Sequence, residues 1–355
     1  PRVQTPDAGE RAAQQTEAKA MSTPNQTDQT EHASQQQSQQ AGATAEDRPL
    51  IWVGQGDRGD MKPKNEAAVS VFDHGLLYGD GIFEGIRVYR GRIFKCDQHM
   101  DRLYGCAEKI KLNIPVSRER MVEIQRKCIE ANEITEGYIR LVVTRGVGTL
   151  GLNPYKCPEP GIICIADQIS LYPEELYESG MTVVLAERPR IPIECLDPRI
   201  KSLNYLNNIL AKTEALDRGL YEAIMLNTDG DVSECTGDNI FAIKDGTIYT
   251  PPVDAGILEG ITRRFVMNEL APARGHKVVE KRMRFPELLS ADEIFLTGSA
   301  AEIIAVTGII TTDPAGNDAE HVIGPDKSVK AEGPITKELR TAFREVATSD
   351  DVPED

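Results

Sequence analysis

The sequence predicts an α+β chain with two domains, a small α/β one over residues 48–167 and a larger strand-rich one over 181–346. Three observations carry this. Two amphipathic helical stretches lie among short apolar runs such as IRVY, YIRLVVTRG and GIICIAD in the first half. The segment QISLYPEELYESG at 168–180 then breaks the strand pattern with a proline and reads as the connection between domains. Beyond it, EAIMLN, NIFAIKDG, TIYTPP, EIFLTG and IIAVTGI follow at short spacing, which predicts a strand-dominated unit with helices packed outside.

Length and charge narrow the partners. A chain of 355 residues can build two hydrophobic cores, and 40% hydrophobic with 27% charged side chains is the balance of a soluble globular protein. The net charge of −16 repels phosphates, which argues against nucleic acid and anionic membranes. No run of 18 apolar residues predicts a membrane span. The seven cysteines are scattered, without a CxxC pair or zinc spacing, so they read as reduced thiols with no metal, and the protein is expected to be cytoplasmic.

In chain order, residues 1–47 are rich in Gln, Ala, Thr and Ser and lack the apolar side chains that would offset ordering entropy, so they are expected to be a disordered polar tail. Met21 opens MSTPNQ and is a candidate start site. Order is expected from about Leu50, with LIWVG and AAVSVFD as short strands. The stretch DHGLLYGDGIFEGIRVYRGRIFKCD interleaves glycines with Tyr78 and Phe83, where close backbone approach would let aromatics line a pocket. Leu103, Cys106, Ala107 and Ile110 share one helical face over 98–112, with Arg102 beside it. Ser117 is the N-cap of the next helix, which buries Met121, Ile124, Cys128 and Ala131. A further helix starts near Thr262, TKELRTAFREVA forms the last, and 347–355 is read as an acidic tail.

The chemistry centres on KSLNYLNN and SECTGDN. Lys201 is read at a strand-to-helix junction, as an amine able to form a Schiff base with a carbonyl cofactor, and Glu234 as the carboxylate that tunes it. Two segments resemble anion cradles. Gly260, Ile261 and Thr262 open a helix in GILEGITRR, where free N–H groups and the positive dipole end meet, and Ser299 sits in the small-residue turn TGSAAE. Pyridoxal 5'-phosphate uses all of these: an amine, a carboxylate at the pyridine nitrogen, a phenol such as Tyr205, and a phosphate site with an arginine such as Arg102.

Together with HGLLYGDGIFEGIR, HMDRL and YIRLVVTRG, these motifs make the chain resemble a class IV, fold type IV pyridoxal-phosphate aminotransferase, most closely a branched-chain amino acid aminotransferase, over roughly residues 50–345. The resemblance implies the D-amino acid aminotransferase-like fold, with a pseudo-barrel second domain. It makes Lys201 the Schiff-base lysine, Glu234 the partner of the pyridine nitrogen, Tyr205 that of the ring hydroxyl, and Arg102, Gly260, Ile261, Thr262 and Ser299 the phosphate cradle. It implies that Tyr78, Phe83, Arg87, Tyr138, Arg140, Ser299 and Ala300 bind substrate, Arg140 taking the side-chain carboxylate of glutamate. The implied reaction moves the amino group of branched-chain L-amino acids to 2-oxoglutarate, giving L-glutamate, in a homodimer or larger homo-oligomer. A D-amino acid or (R)-amine transaminase, an aminodeoxychorismate lyase and a non-catalytic cofactor-binding protein stay open as alternatives; TRGVGTLGLNP carries no histidine of the Arg-x-His pair expected in a D-amino acid enzyme.

Overall fold

The computed structural model describes residues 48–349. The polar tail expected at 1–47 and residues 350–355 of the acidic tail lie outside the described residues. Ala347, placed in that tail from sequence, instead ends the last helix, Pro334–Ala347, with its side chain buried.

The first sheet is antiparallel, with strands β1 (Leu50–Gln55), β2 (Arg58–Pro63), β3 (Gly81–Tyr89), β4 (Arg92–Ile93), β5 (Gly137–Thr144) and β6 (Gly161–Asp167) in the order β2-β1-β6-β5-β3-β4. The pairing of β3 with β5 sets Gly85 opposite Arg140 and Arg87 opposite Tyr138. Side chains alternate across a strand, so Phe83, Gly85, Arg87, Tyr138 and Arg140 share one face. Ile82, Ile86, Ile139 and Leu141 point the other way, into a core closed by Met100 and Leu103 of helix Cys96–Lys109 and by Met121, Ile124 and Cys128 of helix Arg118–Ala131. The Ser117 hydroxyl accepts the Arg120 N–H (3.3 Å) and caps the second helix as expected.

The second sheet holds β7 (Met181–Leu185), β8 (Ala223–Leu226), β9 (Val232–Cys235), β10 (Asn239–Lys244), β11 (Thr247–Thr250), β12 (Val278–Glu280), β13 (Glu293–Gly298), β14 (Glu302–Thr312) and β15 (Asp318–Val322). Its order is β12-β11-β10-β13-β14-β7-β8-β9, with β15 on β14, in mixed directions. The two ends of this order approach each other: the Val232 N–H donates to the Met283 carbonyl (2.8 Å), and Asp231 bridges Arg284. The sheet is thereby curled almost into a barrel. Its central strands are buried on both faces, as in β10, with Ile240 and Ala242 inside and Phe241 and Ile243 against the helices outside. Helix Ile261–Phe265 runs on through a π turn, Val266–Leu270, to Ala271–Ala273. The π turn ends two residues before Pro272, which lacks the N–H and crowds the preceding turn. Among the described residues no helix is long and apolar enough to cross a membrane.

Two local expectations need correction. AAVSVFD is not a strand: Val69, Val71 and Phe72 are exposed, and β1 pairs instead with the polar RGDMKP of β2. Glu234 lies on the short strand β9, whose four residues VSEC are all buried and show no alternation to read. Lys201 follows no strand. After β7 the chain is irregular until helix Leu206–Leu216, and a bridge from Ser202 to Ile82 holds the segment against β3. The Phe83 N–H donates to the Lys201 carbonyl (3.0 Å) and the Leu203 N–H to the Gly81 carbonyl (2.9 Å), so the first sheet sets the backbone of a residue that belongs to the second half of the chain.

Candidate active site

A cavity of about 260 Å³ opens where this bridge brings the two sheets together. Lys201 is half-buried in its wall, its Nζ donating to Tyr205 Oη (3.1 Å) and lying 4.5 Å from the Phe83 ring centre. Glu234 faces the same cavity and is almost fully buried. Four donors converge on its carboxylate: Arg190 Nε (3.0 Å) and Nη2 (2.8 Å) on Oε1, Asn239 Nδ2 (3.0 Å) and the Leu258 N–H (3.0 Å) on Oε2. Burial pushes the Glu234 carboxyl up, and Arg190 and the Leu258 N–H oppose that rise.

The anion side of the cavity is built from Arg102, from Gly260, Ile261 and Thr262 at the helix start, and from the turn carrying Ser299 and Ala300. Gly260 leaves the first turn without a side-chain cap, and a Cβ there would sit 2.1 Å from Asn239 Oδ1, so only glycine lets the helix start approach Asn239 at the head of β10. The Thr297 hydroxyl, in the wall beside this turn, is buried with no hydrogen-bond partner. A guanidinium, an uncapped helix start and an orphaned hydroxyl facing an amine and a carboxylate are a donor set that fits a phosphorylated pyridine aldehyde.

The opposite wall carries Phe83, Tyr138 and Arg140. The Arg140 guanidinium lies 4.7 Å over Phe83 and 5.5 Å from the Tyr138 ring. A Cβ on Gly85 would overlap Tyr138 Oη at 1.7 Å, so the glycine in FEGIR is what lets that phenol lie across β3.

Two residues expected at the site stand elsewhere. Arg87 shares the face of Phe83, but buried Glu302 claims its guanidinium (3.3 Å) together with Tyr89 Oη (2.8 Å) and Arg344 Nε (2.9 Å). Tyr78 closes the short helix His74–Tyr78, packs edge-on to His74 at 4.9 Å and accepts the Gly151 N–H (2.9 Å) outside the cavity wall.

The chain matches the family model described as Amino-transferase class IV over residues 81–309. The chain is a class IV aminotransferase. Class IV aminotransferases depend on pyridoxal phosphate, which the cavity's donor set fits. A Methanocaldococcus jannaschii protein named "Putative branched-chain-amino-acid aminotransferase" is 44% identical to this aminotransferase over 82% of it and 95% of the relative. A Listeria monocytogenes D-alanine aminotransferase is 34% identical over 80% and 93%. The solved T.th. branched-chain amino acid aminotransferase with pyridoxamine 5'-phosphate superposes with a TM-score of 0.74 at 32% identity, over 84% of this chain and 94% of that one.

Sequence reasoning missed Arg190, the partner of Glu234, because nothing local in RPRIPIE marks it. It also missed a buried polar group in the cavity wall: Tyr172 Oη donates to Asp238 Oδ2 (2.9 Å), and Lys212 Nζ (3.1 Å) and Thr236 donate to Glu222. Burial, and then the charge of Glu222, push the Asp238 carboxyl up to about 7 from 3.8. The folded chain therefore binds more protons than the unfolded one between those values. Stability from this group falls as pH rises through that window and is lost above it. Asp238→Asn keeps an acceptor for Tyr172 and is expected to flatten the slope, gaining roughly 5 °C in Tm on the parent between about pH 5 and about pH 8. Parallel Tm curves for the two proteins would contradict this.

Proposed function

We propose that this aminotransferase moves the amino group of L-leucine, L-isoleucine and L-valine to 2-oxoglutarate, giving branched-chain 2-oxo acids and L-glutamate by ping-pong kinetics. One observation carries the reading. The wall opposite the anion cradle offers the apolar rings of Phe83 and Tyr138 with the Arg140 guanidinium stacked at their edge, so an aliphatic side chain and a glutamate carboxylate each find a matching surface. The relative named for branched-chain amino acids supports it.

In this reading Arg102, Gly260, Ile261, Thr262 and Ser299 hold the cofactor phosphate, Glu234 the ring nitrogen and Tyr205 the ring hydroxyl. Ala300, beside Ser299 in the same turn, is read as a substrate contact from the anion side of the cavity. When bound, pyridoxal phosphate supplies an aldehyde for Schiff-base formation and a protonated ring that draws electrons from the substrate Cα–H bond. Lys201 Nζ is the base that takes the α-proton and the acid that returns it, aimed by its hydrogen bond to Tyr205.

The test is a donor panel with 2-oxoglutarate. L-leucine, L-isoleucine and L-valine are expected to exceed D-alanine by at least about 10-fold in kcat/KM, a difference of about 1.4 kcal/mol in transition-state binding. The D-alanine aminotransferase relatives define the competing outcome, since D-alanine turnover without L-leucine turnover would overturn the reading.

Two further features belong to this reading. Val69, Val71, Phe72, Leu76 and Leu77 are exposed, as are Leu206 and Ile209, and Asn204 Nδ2 donating to the Gly79 carbonyl (2.8 Å) ties the segments that carry the two groups. Such a patch suits a second copy of the chain, and a monomer mass by light scattering would count against a homodimer. Cys106, Cys128, Cys157, Cys164, Cys195 and Cys235 are free thiols, which suits a reducing cytoplasm, and mapping of a native disulfide would argue otherwise.

A further inference from the structure

Arg102 is not a free cation at the cavity edge. Glu84, on β3 and fully buried, takes Arg102 Nε on Oε1 (2.8 Å) and Arg102 Nη2 on Oε2 (2.7 Å), while Arg102 Nη1 donates to the Glu259 carbonyl (3.1 Å). His99, one helical turn before Arg102 and 2% exposed, places its Nδ1 2.7 Å from Glu84 Oε2. A carboxylate only accepts, so that nitrogen carries the proton. Burial lowers the His99 pKa, with the nearby Arg102 and Lys201 charges acting the same way against Glu84, which keeps the ring a neutral Nδ1–H donor. Burial alone would raise the Glu84 carboxyl, but Arg102 and then His99 outweigh it and hold it well below the usual range.

We propose that Glu84 and His99 are positioning residues for the cofactor phosphate. The inference rests on the reading that Arg102 binds that phosphate. A guanidinium has five N–H donors. Glu84 and Glu259 engage three of Arg102's, and the remaining two, one on each terminal nitrogen, are left for an anion in the cavity. Which two remain depends on the roll of the guanidinium plane, and that roll follows the Glu84 carboxylate plane. His99 fixes the carboxylate plane through Oε2. Without its N–H the carboxylate can turn, and Arg102 turns with it. Glu84 and Arg102 cancel in charge and His99 adds none, so this anion site works through the direction of its N–H groups more than through net charge.

The test compares two ligands on full-length apoprotein: pyridoxal 5'-phosphate, and pyridoxal, which lacks the phosphate. His99→Leu is expected to weaken pyridoxal phosphate roughly 10- to 100-fold and to leave pyridoxal within about twofold. His99→Asn, whose amide N–H can occupy the Nδ1 position, is expected to recover most of the loss. His99→Gln, which moves the N–H one atom further out, replaces the leucine variant if that one does not fold. Equal losses for both ligands, or no loss, overturn the inference, since a purely structural role does not distinguish them. Arg102→Met is the control for the underlying reading. If it abolishes the preference for the phosphorylated ligand while His99→Leu keeps that preference, the inference alone fails. If Arg102→Met keeps the preference, the phosphate reading falls and the inference with it.

Discussion

Lys201→Ala is expected to lower transamination by at least about 10⁴-fold and to leave the fold intact, the largest effect of any single substitution here. The reason lies in how the residue is held. Its carbonyl accepts from the Phe83 N–H and its own N–H donates to Cys106 Sγ (3.4 Å), so the loop is fixed by backbone contacts that alanine keeps. The side chain contributes the amine, the hydrogen bond to Tyr205 and the contact with the Phe83 ring. In the proposed reading, removing it takes away the Schiff-base nitrogen and the group that carries the α-proton together. Single-turnover rates with L-leucine, set beside unfolding curves, check this, and a folded variant near the parental rate would remove Lys201 from the mechanism.

Glu234→Gln is expected to lower kcat by about 10²- to 10³-fold, with a smaller change in cofactor retention. Glu234 is met only by donors, from Arg190, Asn239 and the Leu258 backbone, a setting that requires an acceptor on both oxygens. The glutamine amide puts an NH₂ against one of those donors and removes the charge that, in the proposed reading, holds a proton on the cofactor's ring nitrogen. Arg190→Met acts in the same direction from behind, and because it strands a buried carboxylate it should also cost about 3–5 kcal/mol of stability. Combining the two substitutions should restore part of that stability but not the activity. Measured kcat, absorbance of the bound cofactor and urea midpoints separate these outcomes. A glutamine variant with parental kcat would show that the carboxylate has no part in the chemistry.

The site was legible in the sequence wherever a single stretch of chain carries both a side chain and the backbone that presents it. Gly260, Ile261 and Thr262 announce a helix start by their residue types. Lys201 and Tyr205, four positions apart, meet as amine and phenol. The apolar periodicity of 98–112 places Arg102 on a helix, and helix Cys96–Lys109 is there. Local pattern misled where tertiary context took over. AAVSVFD has the composition of a strand, yet its apolar side chains lie exposed. Arg87 sits in a motif that suggests substrate contact, yet Glu302, 215 residues away, takes its guanidinium.

What the sequence determined by itself is therefore the kit of reactive groups and the elements that carry them, because residue type, capping and periodicity act over a few positions. Only the tertiary structure decided which charges meet. Arg190 reaches Glu234 across 44 residues, and Glu84, bonded to His99 within the first core, takes Arg102 at the cavity wall. The pairing of Ser202 with Ile82 brings the lysine of one half to the aromatic wall of the other. Buried charges must find partners wherever the fold puts them, and no local pattern records that choice.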